Sequence, residues 1–168
     1  MIGAIAKAGL LLVAVSLLPS CATPAQTYTM YVGEGVQQVF IRPFEVKQDG
    51  LFLSLDITAR FRGAAVYDDA IVNFTVYTTA GGSAASIPNL VFSSALGVYP
   101  TESVTLIYRD TERGLARYTS RMPSDSLASL LHDVDSIPLS FEWGSITESD
   151  MVSTTLRRRM QFLADLVH

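Results

Sequence analysis

Leu51-Phe52-Leu53-Ser54-Leu55-Asp56-Ile57-Thr58-Ala59-Arg60-Phe61-Arg62 carries an apolar side chain at every odd position and mostly polar ones between. A period of two describes a strand with one face buried and the other wet. Asp49-Gly50, just before it, suits a two-residue type I′ hairpin turn, in which both positions need positive φ. Val36 to Gln48 is therefore expected to fold back on the strand. With a two-residue loop, Gln48 meets Leu51, Val46 meets Leu53, Phe44 meets Leu55 and Phe40 meets Ala59, all on the core side, with Arg42 opposite Ile57 as the misfit. Pro43 disturbs this register because it has no N–H to give to a ladder. It marks either an edge position or a bulge, and a bulge would turn Val39 and Ile41 inward in place of Phe40.

Further strands follow on both sides of this hairpin. Tyr28 to Val32 reads as a short strand ended by Gly33-Glu34-Gly35, and Ala70 to Thr79 as a strong one with Val72, Phe74 and Val76 on one face. Ala64 to Asp69 reads as a connection, Ala80-Gly81-Gly82-Ser83 as the start of a loop, and Leu90 to Phe92 as a short strand before an irregular stretch from Ser93 to Thr101. Glu102 to Arg109 and Leu115 to Met122 form a second hairpin, whose loop can use Gly114 in a left-handed position. Pro138 to Ile146 returns to strand, with Leu139, Phe141 and Trp143 on one side.

Two segments change period. Leu127, Leu130, Leu131 and Val134 recur at three and four residues, which predicts a short helix capped by Ser124 or Asp125. Val152, Leu156, Met160, Leu163 and Val167 make an apolar stripe along a second helix over residues 149–168, capped by Ser149 or Asp150. The expected fold is mainly β: an antiparallel β-sandwich of about seven strands, with a short inserted helix and a C-terminal amphipathic helix. The alternative is an α+β arrangement, an antiparallel sheet with its helices on one face.

The chain has 168 residues, of which 49% are hydrophobic and 17% charged, with a single cysteine at position 21. Much of that apolar content lies in the first twenty residues. Lys7 is followed by the apolar run Gly9 to Leu18 and then Pro19-Ser20-Cys21, the order of a secretory signal peptide and too short for a comfortable bilayer span. Leu17-Leu18-Pro19-Ser20-Cys21 resembles the lipobox of bacterial lipoproteins, in which Leu18, Ser20 and Cys21 take the positions that direct lipid onto the thiol and cleavage ahead of it. Pro19 stands where that pattern has a small or aliphatic residue. The resemblance covers the leader alone and implies lipid attachment at Cys21. Ala22, where lipoproteins kept in the inner membrane often have Asp, implies the outer membrane of a bacterial envelope, facing the periplasm. A rival reading, cleavage after Ala22 on the small residues Ser20 and Ala22, would discard the cysteine.

The resulting organisation is a signal peptide over 1–20, a lipidated cysteine and tether over 21–35 and one β-rich domain over 36–168. Cleavage before Cys21 leaves about 150 residues, enough for one core. Without further cysteines, that core must hold the domain together with no disulfide. The whole chain has a formal charge of −4, and removal of Lys7 makes it one unit more acidic. Nucleic acid and anionic lipid are therefore disfavoured as partners.

Chemistry is sparse. His132 lies near Asp133 and Asp135, but no Gly-x-Ser-x-Gly elbow accompanies it, so a solvated helix-end histidine is the expected reading. His132-Asp133-Val134-Asp135 lacks zinc spacing and a calcium loop, and reads as solvated charge; Asp68-Asp69 reads as a turn. Arg157, Arg158 and Arg159 point about 100° apart on a helix and cannot share a face. Tyr28, Tyr31, Tyr77, Tyr99, Tyr108 and Trp143 are mostly assigned to core and cross-strand pairs. No catalytic residue, metal ligand or cofactor site is assigned. The expected function is a non-catalytic, membrane-anchored envelope lipoprotein that binds or scaffolds another envelope protein. The alternatives are a glycan- or lipid-binding module, which needs an exposed aromatic platform or apolar pocket, and an unrecognised hydrolase, which needs His132 in a cleft beside Ser and carboxylate groups.

Overall fold

The computed structural model describes residues 27–48, 51–78, 90–135, 140–143, 146–147 and 150–167. Cys21 and the leader, the Asp49-Gly50 turn, the loop from Ala80 and the Ser149 cap fall outside these residues. Within them the chain is mainly β, and all strand pairs are antiparallel. The elements are β1 (Thr27–Gly33), β2 (Val36–Gln48), β3 (Leu51–Arg62), β4 (Ala65–Val66), β5 (Ala70–Thr78), β6 (Leu90–Ser93), β7 (Val98–Pro100), β8 (Thr105–Asp110), β9 (Leu115–Met122), α1 (Ser124–His132), β10 (Ser140–Trp143), β11 (Ile146–Thr147) and α2 (Asp150–Ala164). A seven-stranded sheet runs in the order β1-β2-β3-β5-β9-β8, with β4 paired to β3, and a four-stranded sheet runs β11-β10-β6-β7. The large sheet thus takes in β1, the short strand read over Tyr28 to Val32, which lies before the domain boundary drawn at Val36.

β3 sits between β2 and β5 and sets the register of both. Gln48 pairs with Leu51, Val46 with Leu53 and Phe44 with Leu55, as the two-residue loop requires. Beyond that the register shifts. Ile41 pairs with Ile57, so Arg42 and Pro43 together oppose Asp56, and the pairing of Phe40 with Ala59 gives way to Val39 with Ala59 and Phe40 with Thr58. Arg42 is not opposite Ile57 after all. The proline's missing N–H falls in the bulge, where no ladder bond is lost, and the extra residue keeps both Phe44 and Ile41 on the core face. Val39 and Ile41 are buried, while Arg42 and Pro43 are exposed.

The inner face of the large sheet collects Leu53, Leu55, Ile57, Ala59 and Phe61 from β3, Val72, Phe74 and Val76 from β5, and Ala116, Tyr118 and Met122 from β9. Tyr118 stacks on Phe74 with ring centroids 5.3 Å apart. Leu90 and Phe92 of β6, Leu127, Leu130 and Leu131 of α1, and Leu156, Met160, Leu163 and Ala164 of α2 complete the same core. The small sheet and both helices therefore share the layer that covers this face. Each fully buried Leu or Phe contributes about 1.5–3 kcal/mol by leaving water.

Local details differ from the sequence reading where backbone chemistry decides. Pro123 occupies the N-cap of α1 and makes no side-chain cap bond; Ser124 is already helical, and its N–H donates to the Asp69 carboxylate at 3.0 Å. The acidic cap thus comes from the β4–β5 connection, where its charge also suits the helix dipole. The stretch after Ser93 is not wholly irregular, since β7 pairs with β6. The strand expected over Pro138 to Ile146 is divided into β10 and β11, which pair with each other. α2 ends at Ala164, short of the expected end, and its last turn closes through Leu166 N–H to the Leu163 carbonyl at 3.1 Å. The β1–β2 turn has positive φ at both Glu34 (50°) and Gly35 (73°), as a type I′ turn needs.

Leu55→Ala at the centre of β3 should lower unfolding free energy by about 2–5 kcal/mol in urea titrations. Deleting Pro43 removes the bulge yet leaves Ile41 and Phe44 inward, with Arg42 alone opposite Asp56, so the protein should keep one cooperative transition. Deleting Asp56 instead reverses half of β3 and should abolish that transition.

Candidate functional site

Among the residues singled out from sequence, His132 lies at the last turn of α1 and is exposed. It borders a cavity of about 340 Å³ lined also by Ala64, Ala65, Val66, Ala128, Ser124 and Asp125. A serine and a carboxylate do share this cavity with the histidine. They are not within reach: at 1.5 Å per residue, Ser124 and Asp125 stand about 12 and 10 Å from His132 along the helix axis. A nucleophile and its base need about 3 Å. Among the described residues no three of His, Cys, Asp and Glu gather as metal ligands. Arg158 is exposed, whereas Arg157 and Arg159 are half-buried, and desolvation followed by the neighbouring Arg158 charge lowers the Arg159 pKa.

Asp133 is not solvated charge. It is buried at the end of α1, where Ser94 Oγ donates to Oδ2 at 2.8 Å and the Tyr99 hydroxyl donates to the same oxygen. Ser94 in turn accepts from the N–H groups of Leu96 at 3.1 Å and Gly97 at 3.2 Å, closing the β6–β7 turn. Tyr99 lies over Gly97 so closely that a Cβ there would meet its hydroxyl at 2.7 Å. The bonds from Tyr99 and Ser94 hold the Asp133 carboxyl below its usual range, and burial, followed by the bond to Asp133, pushes the Tyr99 hydroxyl up. The cluster pins the small sheet to α1. Sequence reasoning missed it because its members are 34 and 39 residues apart, and the stretch that holds Ser94 and Tyr99 reads as irregular.

The outer face of the large sheet has a polar centre. Arg117 Nη2 lies 3.1 Å from Asp56 Oδ2, Arg117 Nη1 donates to Thr75 Oγ1 at 3.1 Å, and Asn73 Nδ2 donates to Asp56 Oδ1 at 2.9 Å. Asp56, 17% exposed, and Arg117, 41% exposed, make a partly screened pair. Aromatic residues lie beyond this centre in two groups. Tyr28 stacks on Phe40 at 4.7 Å, and Phe52 meets Tyr77 edge-on at 5.0 Å. Phe40 pairs with Thr58, so the groups are separated by the six-residue step from Phe52 to Thr58, about 20 Å of strand. They do not form one flat platform. Tyr99 is bonded to Asp133 as described, and Tyr31 and Tyr108 are exposed on the edge strands β1 and β8.

Both edges expose apolar side chains: Tyr28, Met30, Tyr31 and Val32 on β1, and Leu106, Ile107 and Tyr108 on β8. Cys21 and the side chain of Trp143 lie outside what the structure describes. No helix among the described residues is long and apolar enough to cross a membrane. The chain matches no protein-family model, no curated protein and no solved structure.

Tyr99→Phe removes a donor from a buried carboxylate and should cost about 1–3 kcal/mol at pH 7. Because the folded pKa of Asp133 is depressed, its stabilisation is present above the unfolded value near 3.9 and is lost as pH falls through the folded one. Chemical unfolding between pH 7 and pH 2 should therefore show a shallower acid loss for Tyr99→Phe than for the parent.

Proposed function

We propose that this protein is a non-catalytic lipoprotein of a bacterial cell envelope, anchored through lipid on Cys21 and binding or scaffolding another envelope protein. The observation that carries the reading is the Leu17-Leu18-Pro19-Ser20-Cys21 sequence at the end of an apolar leader, with the only cysteine of the chain at the modification position. The outer membrane, with the domain facing the periplasm, is the location the proposal assigns, since Ala22 follows the cysteine. A scaffolding role is supported by the chemistry of the domain. Ser124 and Asp125, which share the cavity with His132, stand about two turns away along α1, and Asp133 is committed to Ser94 and Tyr99. Among the described residues the large sheet leaves its outer face and both edges open, surfaces that suit contact with another macromolecule.

Cys21→Ser should move the protein from the detergent-extracted membrane fraction to the soluble periplasmic fraction. Mass spectrometry of the native N terminus should find Cys21 as the first residue, bearing acyl mass. An unmodified N terminus at Thr23, the product of cleavage after Ala22, would overturn the anchor. Crosslinking in intact envelopes should recover one recurrent protein partner, and recovery of this chain alone would overturn the scaffold.

A further inference from the structure

We propose that the β1 edge of the large sheet seats in the headgroup layer of the bilayer that holds the lipid of Cys21, with Tyr28, Met30, Tyr31 and Val32 as the contact residues. The inference rests on the lipid-anchor reading and adds to it the surface that faces the membrane. These four side chains are 54%, 48%, 77% and 45% exposed, a concentration of large apolar groups within five residues of one edge strand. Register places Tyr28 and Met30 on the outer face, opposite Phe40 and Gln38, with Thr29 and Tyr31 on the other side, so the edge is apolar on both flanks.

Chain length sets where this edge can be. Thr27, the first residue of β1, lies six residues beyond Cys21, and six extended residues span at most about 20 Å. A lipid on Cys21 therefore holds the start of β1 within that distance of the bilayer surface. Charge favours contact. From Ala22 to Gly33 there is no acidic or basic side chain, the first being Glu34 in the β1–β2 turn, so pressing the strand against headgroups strips water from no side-chain charge.

The opposite edge differs on both counts. β8 exposes Leu106, Ile107 and Tyr108, but Arg109, Asp110, Glu112 and Arg113 follow directly. It is also five strand spacings from β1, about 24 Å across the sheet. A tether of about 20 Å attached to β1 brings one edge to the membrane and leaves the other in water. Depth is limited by the backbone: an edge strand carries outward N–H and C=O groups that hydrocarbon cannot satisfy, while water and headgroup oxygens can. Tyrosine suits that boundary, with an apolar ring and a hydroxyl that remains wet.

The test uses the full-length lipidated protein in zwitterionic phosphatidylcholine vesicles whose acyl chains are brominated near the headgroup. Acylation consumes the one native thiol, so Tyr31→Cys or Tyr108→Cys introduces a unique site for an environment-sensitive fluorophore. Both positions are exposed, which makes the replacements compatible with folding. The label at residue 31 should shift to the blue and lose more than half of its emission to bromine, while the label at residue 108 stays aqueous and unquenched. Acylated protein with both labels aqueous overturns the seating and leaves the anchor standing. A blue shift at residue 31 without bromine quenching means that protein covers the edge, and equal quenching at both positions means that the sheet lies flat; either overturns the seating. An N terminus without acyl mass overturns the anchor and the seating together.

Discussion

A sheet has two faces and two edges, and among the described residues only one of the four is covered. The second layer, two helices and a four-stranded sheet, is spent on the inner face of the large sheet, where Leu55, Ala59, Phe61, Val72, Phe74 and Tyr118 are essentially excluded from water. Everything outside that face must be compatible with water or with a partner. The outer face meets the requirement with Asp56, Asn73, Thr75 and Arg117, whose mutual bonds satisfy polar groups that are half-buried by their neighbours. The edges meet it less completely. Seven exposed large apolar side chains would have been a smaller number had either edge strand been shorter or more highly charged, so the edges are where surface chemistry departs from what solubility alone asks.

The legible part of the fold was the part governed by period and turn chemistry. Alternation along β3 identified its inner face residue by residue, and the length of the Asp49-Gly50 loop fixed the pairing from Gln48 to Phe44. Pro43 announced an irregularity without choosing its kind, because a missing N–H is equally tolerable at an edge and in a bulge. The register with β3 decides it: Ile41 pairs with Ile57 and Phe44 with Leu55, so Arg42 and Pro43 share one partner position and the proline lies in a bulge. The alternation over Tyr28 to Val32 marks a short strand, but it does not say which strand it pairs with, and only the fold places it beside β2.

The candidate site was less legible, for a related reason. A side chain's neighbours in sequence report its local geometry, whereas its protonation and burial depend on what folds onto it. Asp133 sits between His132 and Val134 in a polar stretch and reads as solvated, yet β7 brings Tyr99 onto it and the β6–β7 turn brings Ser94. Asp69 reads as a turn residue and in fact caps α1 from 55 positions away. In both cases a carboxylate accepts bonds from groups that no local spacing could have nominated. The two together tie α1 at its start to the large sheet and at its end to the small one, so the helix is held at both termini by charge-assisted bonds as well as by its buried leucines.

The asymmetry between the two sheet edges follows from the same shortage of covering material. An apolar edge free in solution invites pairing with another chain, and proteins limit this with charge, bulges or cover. β8 has two of these devices, a register irregularity between Leu106 and Tyr108 and the charged residues Arg109, Asp110 and Arg113 at its end. β1 has no charged residue, and its irregularity falls at the turn, between Tyr31 and Gly33, leaving a regular run from Thr27 to Tyr31. An edge without its own protection is stable against association only where something else occupies it. For a strand that begins six residues after a proposed lipid attachment site, the membrane interface is the occupant that the covalent structure keeps continuously within reach, and it supplies hydrogen bonds to the open backbone as well as cover for the tyrosines.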